Sequence, residues 1–430
     1  MSKFALLFLM VFFGGIVAAL VYSGTAAFVL YQLVYFLNPD ARWWSAVIPG
    51  LRYSMIASLL MLLVLFLKYR QHSELAPWSK MPVFKYLIAL VLLYYLAYLF
   101  AVNLPAHKTF TFEFTKLAII ILVAYKLIHS PRALDACLWA YVVGATYIGY
   151  LAWGTGRNDE GRVEGIGMVD APDANDTAAA LVPAAVILMY YAWMGSWKMR
   201  ALALFCGALI ANGLVLINSR GSFLGVVVSL SIFLFFMLFS RYQRKGQRAA
   251  AVLMMVVGLS GALYVTDDLF WQRMQTLQSE DQNVSGASRM SFWFVTFDML
   301  DDHPMGVGIT GYQTLSPIYM DEQTRGGPGL RAVHSSWFQG LAELGWIGLG
   351  VFLLMLLSLY RLSAKAKRHV LDTDDIEAYF KLLALECALL GYLAAGTFID
   401  RFRAEILYWM ILFLAAAINI YYLQHQAKRT

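Results

Sequence analysis

Charge is scarce in this chain. Only 14% of its 430 residues are Asp, Glu, Lys or Arg, against 60% hydrophobic, and the mean hydropathy is +0.62. That balance excludes an ordinary soluble globular protein. Cysteine is nearly absent: Cys137, Cys206 and Cys387 all fall inside apolar runs, which gives small buried hydrophobes and neither a disulfide framework nor a metal motif. H-E-x-x-H, a Walker A loop, a dinucleotide fingerprint and a G-x-S-x-G elbow are all missing, so zinc protease, P-loop, Rossmann and α/β-hydrolase chemistry have no sequence support. The net charge of +6 is spread over short loops between apolar runs, where it sets membrane topology and does not read as a nucleic-acid surface. The first apolar run has no small-residue cleavage pattern before its polar exit, so no cleavable signal segment is expected.

What is abundant is span-length apolar sequence. The runs are Phe4 to Leu37, Leu51 to Leu67, Phe84 to Ala101, Phe112 to Ile128, Leu134 to Trp153, Thr177 to Gly195, Ala201 to Ile217, Gly221 to Ser240, Ala249 to Val265, Trp337 to Tyr360, Ala378 to Phe398 and Ala404 to Leu423. The expected fold is all-α and polytopic, with about 12 transmembrane helices and one long loop holding short interfacial helices. Phe4 to Leu37 is too long for one upright span and slightly short for two with a turn; both termini fall on one side only if it crosses once, as one tilted helix or as a span with a re-entrant break near Tyr22 to Thr25, with 13 crossings as the alternative to 12. Four stretches follow: N-terminal helices over 1–153, central helices over 154–265, the large loop over 266–336 and C-terminal helices over 337–430.

Alternate loops carry the positive charge. One holds Lys68, Arg70, Lys80 and Lys85; the others hold Lys126 and Arg132, Lys198 and Arg200, Arg241 to Arg248, and Arg361 to Arg368. These face the cytoplasm by the positive-inside tendency, together with Lys3 and the tail Lys428 and Arg429. The outer side then receives the loop Gly154 to Asp176, the junction Asn218-Ser219-Arg220, the segment Thr266 to Ser336 and the turn Asp400 to Arg403. Gathering all unusual polar sequence on one side suits an enzyme acting on an exported lipid-borne substrate. A transporter concentrates such groups near the bilayer midplane.

Within the long segment, Ser288 to Leu300 is apolar nearly all round and too short to span, which reads as an interfacial helix ended before Pro304. Arg289 lies in its first turn, against the helix dipole, so another partner should hold it. That partner is either a phosphate gripped by the guanidinium fork or a headgroup or local acid. Arg220 lies on the outer side, where topology gives it no role, and is a second phosphate candidate. Arg157, Arg162, Arg325, Arg331, Arg401 and Arg403 are weaker substrate-binding candidates, each beside acids, flexible glycine or a span end. His334 stands where loop meets span. It is either a general base, with an unperturbed pKa suited to neutral pH, or a helix-start residue facing headgroups. Glu343, nine residues later, falls on the opposite helix face and does not orient it. Ser335 and Ser336 lack the surroundings of a nucleophile. Asp173, Asn175 and Asp176 read as turn and capping residues before the helix near Thr177, with a divalent cation as the alternative. Glu386, inside a predicted span, is the argument for transport or proton relay.

Four pieces carry a resemblance: DANDTAAALVPAA at 173–185, NSRGSFLG at 218–225, SRMSFWFVTFDMLDDHPMGVGITGY at 288–312 and HSSWFQGLAELGWIGLG at 334–350. Together they resemble the O-antigen ligase and O-antigen polymerase superfamily of bacterial inner-membrane glycosyltransferases, over roughly Gly154 to Phe398 and most closely the ligase branch. The resemblance implies a glycan donor on undecaprenyl diphosphate and, for the ligase branch, a sugar hydroxyl of the lipid A core as acceptor. It also implies an inverting transfer at the periplasmic face with no metal, nucleotide-sugar or other cofactor. By the same resemblance Arg220 and Arg289 engage the diphosphate, and His334 is the essential histidine. Family members usually show His-Asn where this chain has His334-Ser335, which bears on the second position only. A polymerase joining two lipid-linked repeats and a protein O-oligosaccharyltransferase are the alternatives with the same donor. A transporter using Glu386 is the alternative of a different class.

Overall fold

The computed structural model describes residues 2–159, 161–240, 243–275 and 287–427. Arg241, Lys428 and Arg429, which enter the charge argument above, lie outside them. The chain is a multi-pass helical membrane protein, with no strand among the described residues. It opens with α1 (Lys3–Val21), α2 (Thr25–Leu37), α3 (Tyr53–Leu67), α4 (Tyr69–Leu75), α5 (Val83–Leu96), α6 (Leu104–Leu127) and α7 (Pro131–Thr155). The middle holds α8 (Ala174–Met194), α9 (Trp197–Ile217), α10 (Arg220–Phe239) and α11 (Gln247–Val265). The large loop contributes α12 (Asp268–Gln275), α13 (Ala287–Asp302), α14 (Gly311–Tyr319) and α15 (Glu322–Arg325). The chain closes with α16 (Ser336–Asp372), α17 (Ile376–Gly396) and α18 (Glu405–Ile418).

Nine described helices have the length and apolar composition to cross a bilayer, or ten if α3 and its continuation, bent by 87°, count as one span. The difference from the twelve expected lies in α3, in α5, which is apolar but short, and in α6, which carries Lys108, Glu113, Lys116 and Lys126. Helix α6 also starts eight residues earlier than the apolar run suggested. Asn103 accepts from the Ala106 amide and Pro105 occupies the first turn, a capped start that extends the helix into charged sequence. The first run is broken near the expected place, into α1, which is by itself long and apolar enough to cross, and the shorter α2. Helices α1 and α2 fold back on each other around Tyr22 to Gly24, bringing Gly15 against Leu30.

Helices α8, α10 and α17 pack at the centre, and α18 is almost wholly buried beside them. Close approach of α10 and α17 depends on small residues. A Cβ on Gly225 would sit 2.5 Å from the Gly391 carbonyl oxygen, and one on Gly391 would sit 2.7 Å from Ser229 Cβ. Backbone-to-backbone packing of this kind replaces the hydrophobic driving force that lipid removes. Gly225→Leu is therefore expected to lower stability by about 1–3 kcal/mol, read as an earlier unfolding transition in detergent.

Contacts distinguish two ends of the bundle. At one, Lys126 donates to Ser73, and Gln424 donates to the carbonyls of Leu75 and His129. These are loops that the charge pattern assigns to one side. At the other, the four polar stretches assigned to the opposite side touch one another. Arg157 pairs with Asp267, Arg401 with Asp176, and the Ser335 amide with Asp400.

Candidate active site

The site grows from the junction of the large loop with α16. His334 has φ 52°, a left-handed backbone conformation uncommon for a residue with a side chain. Strain of this kind persists only where surrounding contacts over-determine it, and here they do. The Ser335 amide donates to Asp400 Oδ1 at 3.1 Å. Ser336 Oγ donates to the Ile399 carbonyl at 2.8 Å and accepts from the Arg401 amide at 2.9 Å. Gln339 accepts from the Phe402 amide at 3.0 Å. The first turn of α16 is thus stapled to the turn between α17 and α18, and that turn brings Asp400 to the imidazole.

Helix α16 is not continuous. Gly345 adopts φ 61° and ψ −166°, and a Cβ there would meet the Pro304 carbonyl oxygen at 2.7 Å. The break frees carbonyls of the preceding turn, and the loop after α13 satisfies them. Val307 donates to Ala342 at 2.8 Å and Gly308 to Glu343 at 3.1 Å. His107 extends the clamp: its Nε2 donates to the Tyr94 carbonyl at 2.8 Å and its Nδ1 accepts from the Ile309 amide at 2.9 Å. Irregular backbone at membrane depth is tolerated where protein covers it in this way. The short segment before the break, which follows His334, is held on both sides.

His334, Arg289 and Arg331 line one cavity of about 340 Å³ with Asp173, Asn175, Asp176 and Asp400. His334 Nδ1 lies 3.9 Å from Asp400 Oδ2, too far for a direct hydrogen bond. The distance admits an ion pair, but the electrostatics do not favour one. Burial, followed by the charges of Arg289 and Arg331, lowers the imidazole pKa to about 4. Burial raises the Asp400 carboxyl to about 7, opposed by the Ser335 and His334 amides that donate to it. A neutral imidazole therefore faces a carboxyl that titrates near neutrality. Arg289 also donates from Nη1 to the Phe398 carbonyl at 3.4 Å, and the Arg331 guanidinium lies 4.9 Å from the centre of the Phe292 ring. Arg220 opens α10 within electrostatic reach of Arg289. Its turn packs on α8 through Ser222, which donates to the Asn175 carbonyl at 3.5 Å.

The other arginines are placed differently. Arg157 forms an ion pair with Asp267 and also donates to the Val215 carbonyl. Arg162 lies 3.5 Å from Glu164 and donates to Asn175 Oδ1 at 3.3 Å. Arg325 donates to the carbonyls of Met320, Pro328 and Gly329 within its own loop. Arg401 is nearly buried against Asp176 at 2.8 Å, and Arg403 forms two 3.1 Å bonds to Glu343. The last two brace the turn that carries Asp400. Glu343 also accepts from Tyr94 at 2.6 Å and from Gln339 at 2.9 Å, so its carboxylate is committed away from His334. Ser335 Oγ is buried and makes no hydrogen bond among the described residues. Asp173 caps α8 by accepting from the Asn175 amide, as the sequence suggested, but Asp176 does more than cap. Glu386 is buried, paired with Lys367, and does not line this cavity.

Asp400, which lines the cavity, is a residue to which sequence reasoning gave no role, and Asp176, read there as a capping residue, lines the cavity as well. The available signal was an acid standing beside Arg401 and Arg403 in the turn between two spans. Residues 205–353 match the family model described as O-antigen ligase. A search of curated proteins finds no match. The matched region runs from within α9 to within α16 and contains Arg220, Arg289, Arg331 and His334, so this third of the chain is similar to the O-antigen ligase family and supports the O-antigen ligase/polymerase superfamily.

Proposed function

We propose that the chain is an O-antigen ligase that moves a glycan from undecaprenyl diphosphate to a sugar hydroxyl of the lipid A core, at the periplasmic face of the bacterial inner membrane. The observation that carries this reading is the 340 Å³ cavity in which an imidazole, three carboxyls and two guanidinium groups meet, with Arg220 alongside. In the reaction the acceptor oxygen attacks the anomeric carbon as the bond to the diphosphate oxygen breaks, inverting the carbon. The hydroxyl proton passes to His334 Nε2 or Nδ1, and Asp400 offsets the charge of the imidazolium that forms. The leaving diphosphate gains negative charge as the bond lengthens. Fixed guanidinium groups stabilise that charge more in the transition state than in the ground state.

The test is reconstitution with purified lipid-linked glycan, offering lipid A core, a second lipid-linked glycan and a pilin-like protein in separate reactions. Labelled product with lipid A core alone is the expected result. Product only with the second lipid-linked glycan would make the chain a polymerase, and product only on the pilin a protein glycosyltransferase.

A further inference from the structure

Arg157, a substrate-binding candidate on sequence, is engaged at the junction between α9 and α10. Helix α9 ends at Ile217, and the carbonyls of a helix's last turn have no partner within the helix. Here the 157–163 loop supplies partners. Arg157 Nη2 donates to the Val215 carbonyl at 3.2 Å, and the Val163 amide donates to that of Leu216 at 3.0 Å. Asn218 then takes a left-handed φ of 57°, and α10 opens at Arg220. The direction in which α10 sets out, and with it the placement of Arg220 within electrostatic reach of Arg289, is therefore fixed at a junction that Arg157 caps.

The large loop reaches the same junction from its other side. Helix α11, which leads into that loop, buries only Gln247 and Ala251, so it gives the loop little to rest on. Helix α12 is anchored on the junction instead. Phe270 is buried, its ring edge-on to that of Phe223 in the first turns of α10 with centroids 5.4 Å apart. Asn218 Nδ2 donates to the Leu269 carbonyl at 3.5 Å. Asp267, just before α12, accepts from the Phe270 amide at 3.0 Å, and its carboxylate also accepts from both terminal nitrogens of Arg157. One guanidinium thus ties together the 154–176 loop, the end of α9 and the start of the large loop. The task needs a planar fork, since a single ammonium could not meet a carboxylate side-on and a carbonyl at once. Arg157 also holds the Asp267 carboxyl below its ordinary range, so the pair is fully charged at neutral pH.

We propose that Arg157 is a positioning residue: it latches the large loop to the α9–α10 junction and, through that junction, sets Arg220 for its work in the site. The work of Arg220 rests on the transfer reading above. The latch does not, because it is made of contacts between parts of this chain. On this assignment Arg157 touches no substrate, and its removal acts on catalysis only while Arg220 is present to be misplaced.

The experiment uses full-length protein in lipid nanodiscs, comparing wild type with Arg157→Ala, Arg157→Lys, Arg220→Ala and the Arg157→Ala/Arg220→Ala double variant. Amide hydrogen exchange without substrate tests the latch. Arg157→Ala is expected to speed exchange about tenfold across residues 214–223 and 266–272, with α17 unchanged, and Arg157→Lys, which keeps the charge without the fork, to fall between it and wild type. In the transfer assay Arg157→Ala is expected to lower kcat about tenfold, the cost of a small misplacement, with both KM values unchanged. In the Arg220→Ala background the same substitution should change kcat by less than about twofold, because the two residues act as one unit. A tenfold loss that persisted without Arg220 would show that Arg157 acts by another route and overturn the proposal. Exchange at both segments as slow in Arg157→Ala as in wild type would also overturn it, whatever the transfer assay gives. Wild-type protein that transferred nothing to any acceptor would remove the transfer reading, while faster exchange in Arg157→Ala would still establish the latch.

Discussion

Replacing His334 by alanine is expected to cut glycan transfer by about 10²–10⁴-fold, the range a positioned acid-base group contributes, in protein that remains folded and membrane-inserted. The side chain lies in a cavity, and the bonds that fix its segment run through the Ser335 amide and Ser336 Oγ, so truncation leaves the staple to the 399–401 turn in place. Alanine at a left-handed φ adds strain of order 1–3 kcal/mol only to the extent that histidine did not already carry it. The pH dependence separates a base from a packing residue. With its pKa lowered to about 4, the His334 imidazole is neutral and able to accept a proton throughout the range from pH 5 to 8. Asp400, raised to about 7, changes state inside that range. The ionised carboxylate is the form that offsets the imidazolium, so activity rises with pH through about 7 and is lost as pH falls below it. In Asp400→Asn that limb is expected to disappear along with most of the rate. A limb near pH 7 that survived in Asp400→Asn would return the titration to another group.

The sequence made the helical architecture and the loop–span junction at His334 legible, because hydropathy and charge alternation are local signals that survive without coordinates. The short helix expected over Ser288 to Leu300 is α13, Ala287–Asp302, for the same reason. Asp400 was not legible. Its partner amide at Ser335 is 65 residues away in the chain, and no periodicity or spacing links a turn acid to a loop histidine at that distance. The break in α16 was hidden as well, since Gly345 looks like any of the glycines that membrane helices tolerate. What demands glycine there is the neighbouring Pro304 carbonyl, 41 positions earlier in sequence. The arginines were sorted by the same kind of distant contact. Arg157 and Arg401 stood level with Arg331 among the weaker candidates until their acids, 110 and 225 residues away, came into view.

Arg289→Ala is expected to lower kcat by about 10²–10³-fold, the scale set by removing one preorganised group from a developing oxyanion. The loss should fall on kcat more than on the donor KM, because the diphosphate gains charge only as its bond to the sugar lengthens. Arg289→Lys keeps the charge but not the planar fork, and is expected to restore part of the rate. A structural role for Arg289 would give the same first result, since its Nη1 also donates to the Phe398 carbonyl. The imidazole distinguishes the two. After burial itself, the charge of Arg289 does most to hold the His334 pKa down. Removing that charge while leaving the cavity intact moves the His334 titration upward towards its ordinary value, and Arg289→Lys leaves it near the wild-type position. Proton NMR of ring-labelled histidine in nanodiscs reads this shift without any turnover. A fall in kcat with the His334 midpoint unmoved would mean that Arg289 does not face the reacting groups, and the phosphate-binding half of the site would then have to be sought around Arg220 and Arg331.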